Sequence, residues 1–140
     1  MPDNTVIPEF DEPLNGTDLG ASLTVRDLER SVTWYREALG FTVDRQHERQ
    51  GKLVAISLKA GAVNVLLTQD DGSKGLDRAK GEGFSLQITT SQSADSLAAR
   101  AKKHGVVLDT EPTDMPWGPR MFRVRDPDGF RWTISSVPNR

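Results

Sequence analysis

Side chains able to do acid, metal or nucleophile chemistry are few in this chain, and no spacing gathers them. Two histidines, His47 and His104, and no cysteine occur in 140 residues. Without thiols there is no disulfide framework, no zinc–thiolate cluster and no cysteine nucleophile. His47 falls in a strand pattern and His104 beside a helix C-terminus, where an imidazole favours the helix dipole, so surface positions are expected for both. The glycine–lysine pairs between residues 69 and 83 lack the spacing of a phosphate-binding loop. Asp126 and Asp128 stand in Asp126-Pro127-Asp128-Gly129. There proline pre-sets a turn dihedral, aspartate bonds to its own backbone and glycine accepts positive φ, which points to a tight turn rather than a catalytic pair.

That turn joins two alternating runs. Phe122 and Val124 precede it; Phe130, Trp132 and Ile134 follow on one face with Arg131 and Thr133 on the other, which predicts a hairpin within 116–134. Upstream, Ala21, Leu23 and Val25 alternate with Gly20, Ser22 and Thr24 as a strand. Asp27 offers an N-cap, and Leu28, Val32, Tyr35 and Leu39 recur at helical spacing before Gly40, predicting an amphipathic helix over 28–39. Strands are then expected over 41–48, 53–58 and 62–68, with turns at Gln50-Gly51 and Ala60-Gly61. Residues 69–83 are polar and glycine-rich and read as a solvated connection. The order then repeats. Phe84, Leu86 and Ile88 alternate as a strand, Ser93 caps a helix running through Ala101, Gly105 ends it, and 106–108 form a further strand. Setting Gly40 on Gly105 also puts Leu23 on Ile88 and Phe41 on Val106, so each half reads strand, helix, three strands. One half alone buries only one sheet face, so the halves should pack together.

The length suits one domain. Within it we expect a leader arm over 1–17, a first module over 18–69, a linker over 70–83, a second module over 84–136 and a tail over 137–140. Eighteen basic and twenty acidic side chains leave a net charge of -2 with the signs interspersed. Such a surface sets up no field for nucleic acid or an anionic membrane. Apolar runs such as 63–67 are far too short to span a bilayer. The N-terminal stretch is acidic and proline-bearing, without the basic start and apolar core of a secretory signal, so a cytoplasmic location is expected.

VRDLERSVTWYREALGF, then GFSLQI with a helix behind it, then PWG and RVRDPDGF, closely resemble the vicinal oxygen chelate superfamily of glyoxalase I, extradiol dioxygenases and bleomycin resistance proteins. The resemblance covers roughly residues 18 to 136. It implies an α+β fold in which two βαβββ modules form a curled mixed sheet around a cup-shaped cavity, with helices outside and a homodimer as the assembly. The apolar faces would then meet the helices. Gly20, Ser22 and Thr24, Asn64, Leu66 and Thr68, Ser85, Gln87 and Thr89, and Arg131 and Thr133 would line the cup.

Enzymes of that superfamily hold a divalent metal with His, Gln or Glu at inward strand positions. The resemblance places these on Gly20, on or near Asn64, on Gly83 or Ser85, and on Thr133. None is a carboxylate or imidazole, and a set led by Asn64 and Thr133 carries no charge to grip a divalent cation, so neither a metal nor another cofactor is expected. The inward positions offer no general acid or base, and a serine at Ser22 or Ser85 has no base to activate it, so no catalytic residue is assigned. What remains as ligand-binding candidates is Ser22, Thr24, Asn64, Leu66, Ser85, Gln87, Arg131 and Thr133. Arg120, Arg123 and Trp117 join them, the last on a proline-stiffened loop where an indole can wall a planar ligand or pack at a dimer contact. Hydroxyls, amides and an aromatic entrance are the makeup of a small-molecule site. Bleomycin resistance proteins resemble the chain in PWG and in RDP followed by glycine, and they sequester a cationic drug in a dimer groove; a guanidinium-bearing cup repels a cation. The expectation is a metal-free binding protein of the sequestration or resistance type for a neutral or anionic aromatic or amphipathic molecule. The alternative is a lyase, isomerase or dioxygenase-like enzyme of the same superfamily with an unrecognised acid/base or with metal ligands at other positions than those aligned above, and a third reading is a dimeric domain with a structural or regulatory role.

Overall fold

The computed structural model describes residues 12–137, so most of the expected leader arm and the last three residues lie outside the described residues. Residues 12–20 form no strand or helix, and Leu14 and Leu19 are almost wholly exposed. The first half then runs β1 (Ala21–Val25), α1 (Leu28–Trp34), β2 (Thr42–Arg49), β3 (Lys52–Ala60) and β4 (Val63–Gln69). The second runs β5 (Leu86–Thr90), α2 (Ala94–Lys103), β6 (Thr110–Asp114), β7 (Arg120–Arg125) and β8 (Arg131–Ser136).

Each half makes an open four-stranded mixed sheet, in the orders β1-β4-β3-β2 and β5-β8-β7-β6. In both, the first strand lies parallel to the last and every other pairing is antiparallel. The repeat read from the sequence is therefore a repeat in space. Gly40 and Gly105, which it superposes, both follow their helices at φ 84°, a left-handed conformation that glycine adopts without strain.

Local chemistry accounts for the helices. The Asp27 carboxylate accepts from the Arg30 N–H at 3.2 Å and the Ser93 hydroxyl from the Ser96 N–H at 3.2 Å, capping α1 and α2. The expected helix 28–39 is continuous, but its last turn, Tyr35–Leu39, is π-helical and closes with the Gly40 N–H on the Tyr35 carbonyl. Residues 106–108 form no strand. Val106 and Leu108 pack instead against the α2 cluster, and the next strand is β6, whose Thr-Glu-Pro-Thr-Asp sequence shows no alternation. Pro112 is tolerated there because β6 is the edge of its sheet.

Both helices cover the apolar sheet faces, as the alternation requires. Val25, Leu58, Val65 and Leu67 pack under Leu28, Val32 and Tyr35 of α1, and Phe130 and Trp132 of the second half join the same cluster. Phe122, Val124 and Ile134 pack under Ala94 and Ala98 of α2. Tyr35 is fully buried, with the rings of Trp34, Phe41 and Trp132 edge-on to it at 4.9, 5.6 and 5.8 Å. Its hydroxyl donates to Asp126 at 2.6 Å and accepts from Trp132 Nε1 at 2.9 Å, so a buried polar bond ties α1 to the far half.

Residues 70–83 are irregular but not merely solvated. The Lys80 side chain, only 7% exposed, sits 2.9 Å from Asp70 and 3.5 Å from Asp128, and Gly81 is buried against the β7–β8 turn. The Gly72 N–H and then the Lys80 ammonium hold the Asp70 carboxyl down, to about 2. An unfolded aspartate titrates near 3.9, so this group's contribution to stability is complete above pH ~4 and is lost as the pH falls from there through about 2. In urea denaturation across that window, wild type is expected to lose stability more steeply than Asp70→Asn; parallel slopes would show that Asp70 carries no such linkage.

Candidate functional site

The register sets alternate residues of each sheet on the face away from the helices. On the first sheet Ser22, Leu66, Ser57 and Arg45 stand in one cross-strand row, and Thr24, Thr68, Ala55 and His47 in the next. On the second, Gln87, Thr133, Arg123 and Thr110 form a row, with Arg131 opposite Arg125 beside it.

Between β1 and β5, the edge strands of the two sheets, lies a cleft of about 470 Å³. Leu23, Val65, Leu86, Ile88 and Trp132 give it apolar walls, Ser22, Asn64 and Gln87 supply a hydroxyl and two amides, and Asp18, the one acid of the lining, brings a carboxylate that the sequence reading did not place there. Phe84, 44% exposed, and Leu19, 94% exposed, also line it. Apolar walls with a few convergent polar groups suit a ligand of one or two rings. A second cleft of about 490 Å³, which includes Phe41, Leu97, Arg100 and Phe122, shares Ala62, Val63 and Ile88 with the first; it contains Thr89, expected to line the cup, but none of the ligand-binding candidates.

Three of the assigned residues, Ser22, Asn64 and Gln87, thus come together in one cleft. Ser22 also lines, with Thr24, a smaller hollow of about 270 Å³ closed by Lys80, Gly81 and Phe130. Leu66 is half-buried in the same row as Ser22, and Ser85 is exposed between two cleft residues, Phe84 and Leu86. Thr133 is buried, Arg131 half-buried and Arg123 exposed; these three share the second polar face. Trp117 is 74% exposed on the turn that the Gly118 N–H closes onto the Met115 carbonyl, and it lines none of the clefts described.

Arg120 does not belong to the cup-side set. It shares the parity of Phe122 and Val124, and its guanidinium bonds both carboxylate oxygens of Asp95 on α2 at 2.9 and 3.1 Å and reaches Asp114 at 3.2 Å. Those bonds, Asp95 first, raise the arginine's pKa further, so its charge braces the helix instead of facing a ligand. His47 departs from expectation in the other direction. It is half-buried on the first polar face with Nε2 3.1 Å from the Ser57 hydroxyl, and its period-two spacing from Arg45 was the available signal. Trp132 and Leu86 were assigned to the helix side, yet because β1 and β5 do not pair, the gap between the sheets exposes them to the cleft as well.

The positions that the resemblance assigns to metal ligands hold Gly20, Asn64, Gly83 or Ser85, and Thr133, which is at most one amide and two hydroxyls. Among the described residues no three of His, Asp or Glu converge. Neutral oxygen donors of that kind do not fit a divalent cation that needs several charged or imidazole ligands.

Residues 19–134 match the family model of the Glyoxalase/Bleomycin resistance protein/Dioxygenase superfamily. An uncharacterized protein from Bacillus subtilis (strain 168), YwbC, is 28% identical over 110 residues, which are 76% of this chain and 86% of that protein. TioX from Micromonospora sp. ML1 superposes with a TM-score of 0.68 at 23% identity, over 88% of this chain and 100% of that one. A mutant glyoxalase I from Zea mays superposes with a TM-score of 0.73 at 23% identity, over 86% of this chain but 44% of its own. Those structural likenesses speak to the fold alone, and no described helix is long and apolar enough to cross a membrane. The paired modules, their strand orders and a family match that runs through both of them agree, and the chain belongs to the Glyoxalase/Bleomycin resistance protein/Dioxygenase superfamily.

Proposed function

We propose that the protein is a metal-free small-molecule binder of the sequestration or resistance type, which takes a neutral or anionic aromatic or amphipathic molecule between its two modules. The observation that carries this reading is the cleft between β1 and β5, lined by Trp132, Leu86 and Ile88 together with Ser22, Asn64 and Gln87. The resemblance implies a homodimer, and Leu14, Leu19 and Trp117, all well exposed, are suited to contact a second copy. Isothermal titration of the full chain with 2-naphthol, a neutral two-ring probe, is expected to give saturable binding with a Kd on the order of 100 µM. Ser22→Trp, which fills the cleft from the β1 edge, is expected to weaken it about tenfold or more. Equal affinity in the variant would move the site out of the cleft. Elemental analysis of protein purified without chelator is expected to find no stoichiometric metal, and finding one would overturn the metal-free reading.

His47 favours a second reading, an enzyme whose general base lies on the first polar face, with the Ser57 hydroxyl beside it. No carboxylate among the hydrogen bonds of the described residues orients that imidazole, so it lacks the third member that usually fixes the tautomer. Conversion of a small-molecule substrate by wild type that disappears in His47→Gln, with the Kd for 2-naphthol unchanged, would favour this reading over the first.

A further inference from the structure

The second polar face carries positive charge that its neighbours do not neutralise. Arg123 and Arg125 stand on β7 and Arg131 on β8. Asp109 pairs with Arg125 at 2.8 Å. Among the described residues, neither Arg123 nor Arg131 has a carboxylate within ion-pair distance. Arg131 is half-buried, and its Nε is shut off from solvent with no hydrogen-bond acceptor among the described residues. Most buried N–H groups in folded proteins are paired, so an orphan donor of this kind calls for an acceptor, which a water or a ligand oxygen can supply. A guanidinium in that state is a strong candidate to receive an oxyanion, because its fork matches two oxygens at once.

The neighbours of Arg131 supply the rest of a site. Thr133 lies two residues along β8 and directly opposite Arg123, and Gln87 lies directly opposite Thr133 on β5. Gln87 also lines the cleft between the sheets. Gln87 and Thr133 therefore stand on the polar face between the cleft and Arg131, which lies on the strand next to β5. The first polar face has no such line: its row from Ser22 ends in Arg45 on β2, the strand farthest from the cleft.

We infer that the ligand is an aromatic or amphipathic carboxylate, whose carboxylate is received by Arg131 with Thr133 and Gln87 beside it while its apolar body turns over the β5 edge at Gln87 into the cleft, against Leu86 and Ile88. This rests on the small-molecule reading above and narrows it from neutral or anionic to anionic. Arg123 adds attraction across the same row but, being exposed, contributes less than Arg131.

2-Naphthoate and 2-naphthamide share a ring system and differ in charge, so they isolate the oxyanion. In isothermal titration of the full chain at pH 7 and low salt, naphthoate is expected to bind about tenfold tighter or more. Arg131→Gln is expected to abolish that preference and leave the amide's affinity unchanged. Arg120→Gln, altered at a guanidinium already held by Asp95 and Asp114, should retain it. Should Arg131→Gln prove unfolded by circular dichroism, Arg131→Lys, which keeps the charge and loses the fork, should reduce the preference several-fold. Equal affinities for the two probes would remove the carboxylate and leave the binding reading standing; failure of both probes to bind would remove the two together. Competition by inorganic phosphate as effective as that of naphthoate would mean that the face selects tetrahedral anions, against the inference. A preference that survives Arg131→Gln while the oligomeric mass changes in light scattering would assign the arginine to contact between copies and overturn it.

Discussion

Asp126→Ala is expected to lower the free energy of unfolding by about 3–5 kcal/mol, measured by urea or guanidinium denaturation. One oxygen of Asp126 accepts from the N–H groups of Asp128 and Phe130 at 2.9 and 2.8 Å, and the other accepts from the Tyr35 hydroxyl at 2.6 Å. Alanine would strand a fully buried phenol and the N–H that starts the return strand, and each such orphan costs about 1–3 kcal/mol. Asp126→Asn should cost about half as much, since its carbonyl can still accept from the turn. Its amide nitrogen would face the Tyr35 oxygen, which already accepts from Trp132 Nε1. Burial pushes the Asp126 carboxyl up, against the bonds from Tyr35 and Phe130. Burial first, and then the charge of Asp126, likewise pushes the phenol of Tyr35 up. Asp126 therefore takes its proton more readily in the folded than in the unfolded chain, opposite in sign to Asp70, and it cannot cause a loss of stability between pH ~4 and 2. An Asp126→Ala loss below about 1 kcal/mol would show that the network holds nothing.

Gly81→Ala is expected to cost about 3 kcal/mol or more, with a fall in Tm of several degrees. The backbone there stands at φ +78°, and a Cβ would overlap the Gly129 carbonyl oxygen and come 3.0 Å from Phe130 Cα. Neither neighbour can give way, because both are backbone at the β7–β8 turn. Gly83→Ala provides the control. Its φ is +82° but a Cβ would meet nothing within 4 Å, so only the conformational cost of about 1 kcal/mol applies. Similar losses in the two variants would show that the contact between linker and turn is dispensable.

The fold was legible wherever one side of an element had to be apolar. Leu23 and Val25, Phe122 and Val124, and Leu28, Val32 and Tyr35 each show the period of their element, and Asp27 and Ser93 sit where an N-cap must. β6 was not legible, because an edge strand of threonine, proline and acids has no buried side to impose a period. The burial of Asp70 and Lys80 was hidden for a different reason: a charged residue reads as solvated unless its partner is known, and Lys80 finds Asp128 across 48 positions of sequence. Arg120 was misplaced although parity with Phe122 puts it on the helix side, a signal present and unused. Ser22, Asn64 and Gln87 were placed together because each is the polar alternate of an apolar run. Leu86 and Trp132 were missed as cleft residues because no pattern within one strand reports that two edges fail to pair.

Tyr35, Asp126, Asp128 and Lys80 fasten the two modules near the end of β1 and the start of β8, the cleft begins at the opposite end of β1, and Trp132 belongs to both. Because one indole serves both the clasp and the wall of the gap, a guest that shifts the Trp132 ring also loads the bond that locks the modules, so occupancy and rigidity are coupled through a single side chain.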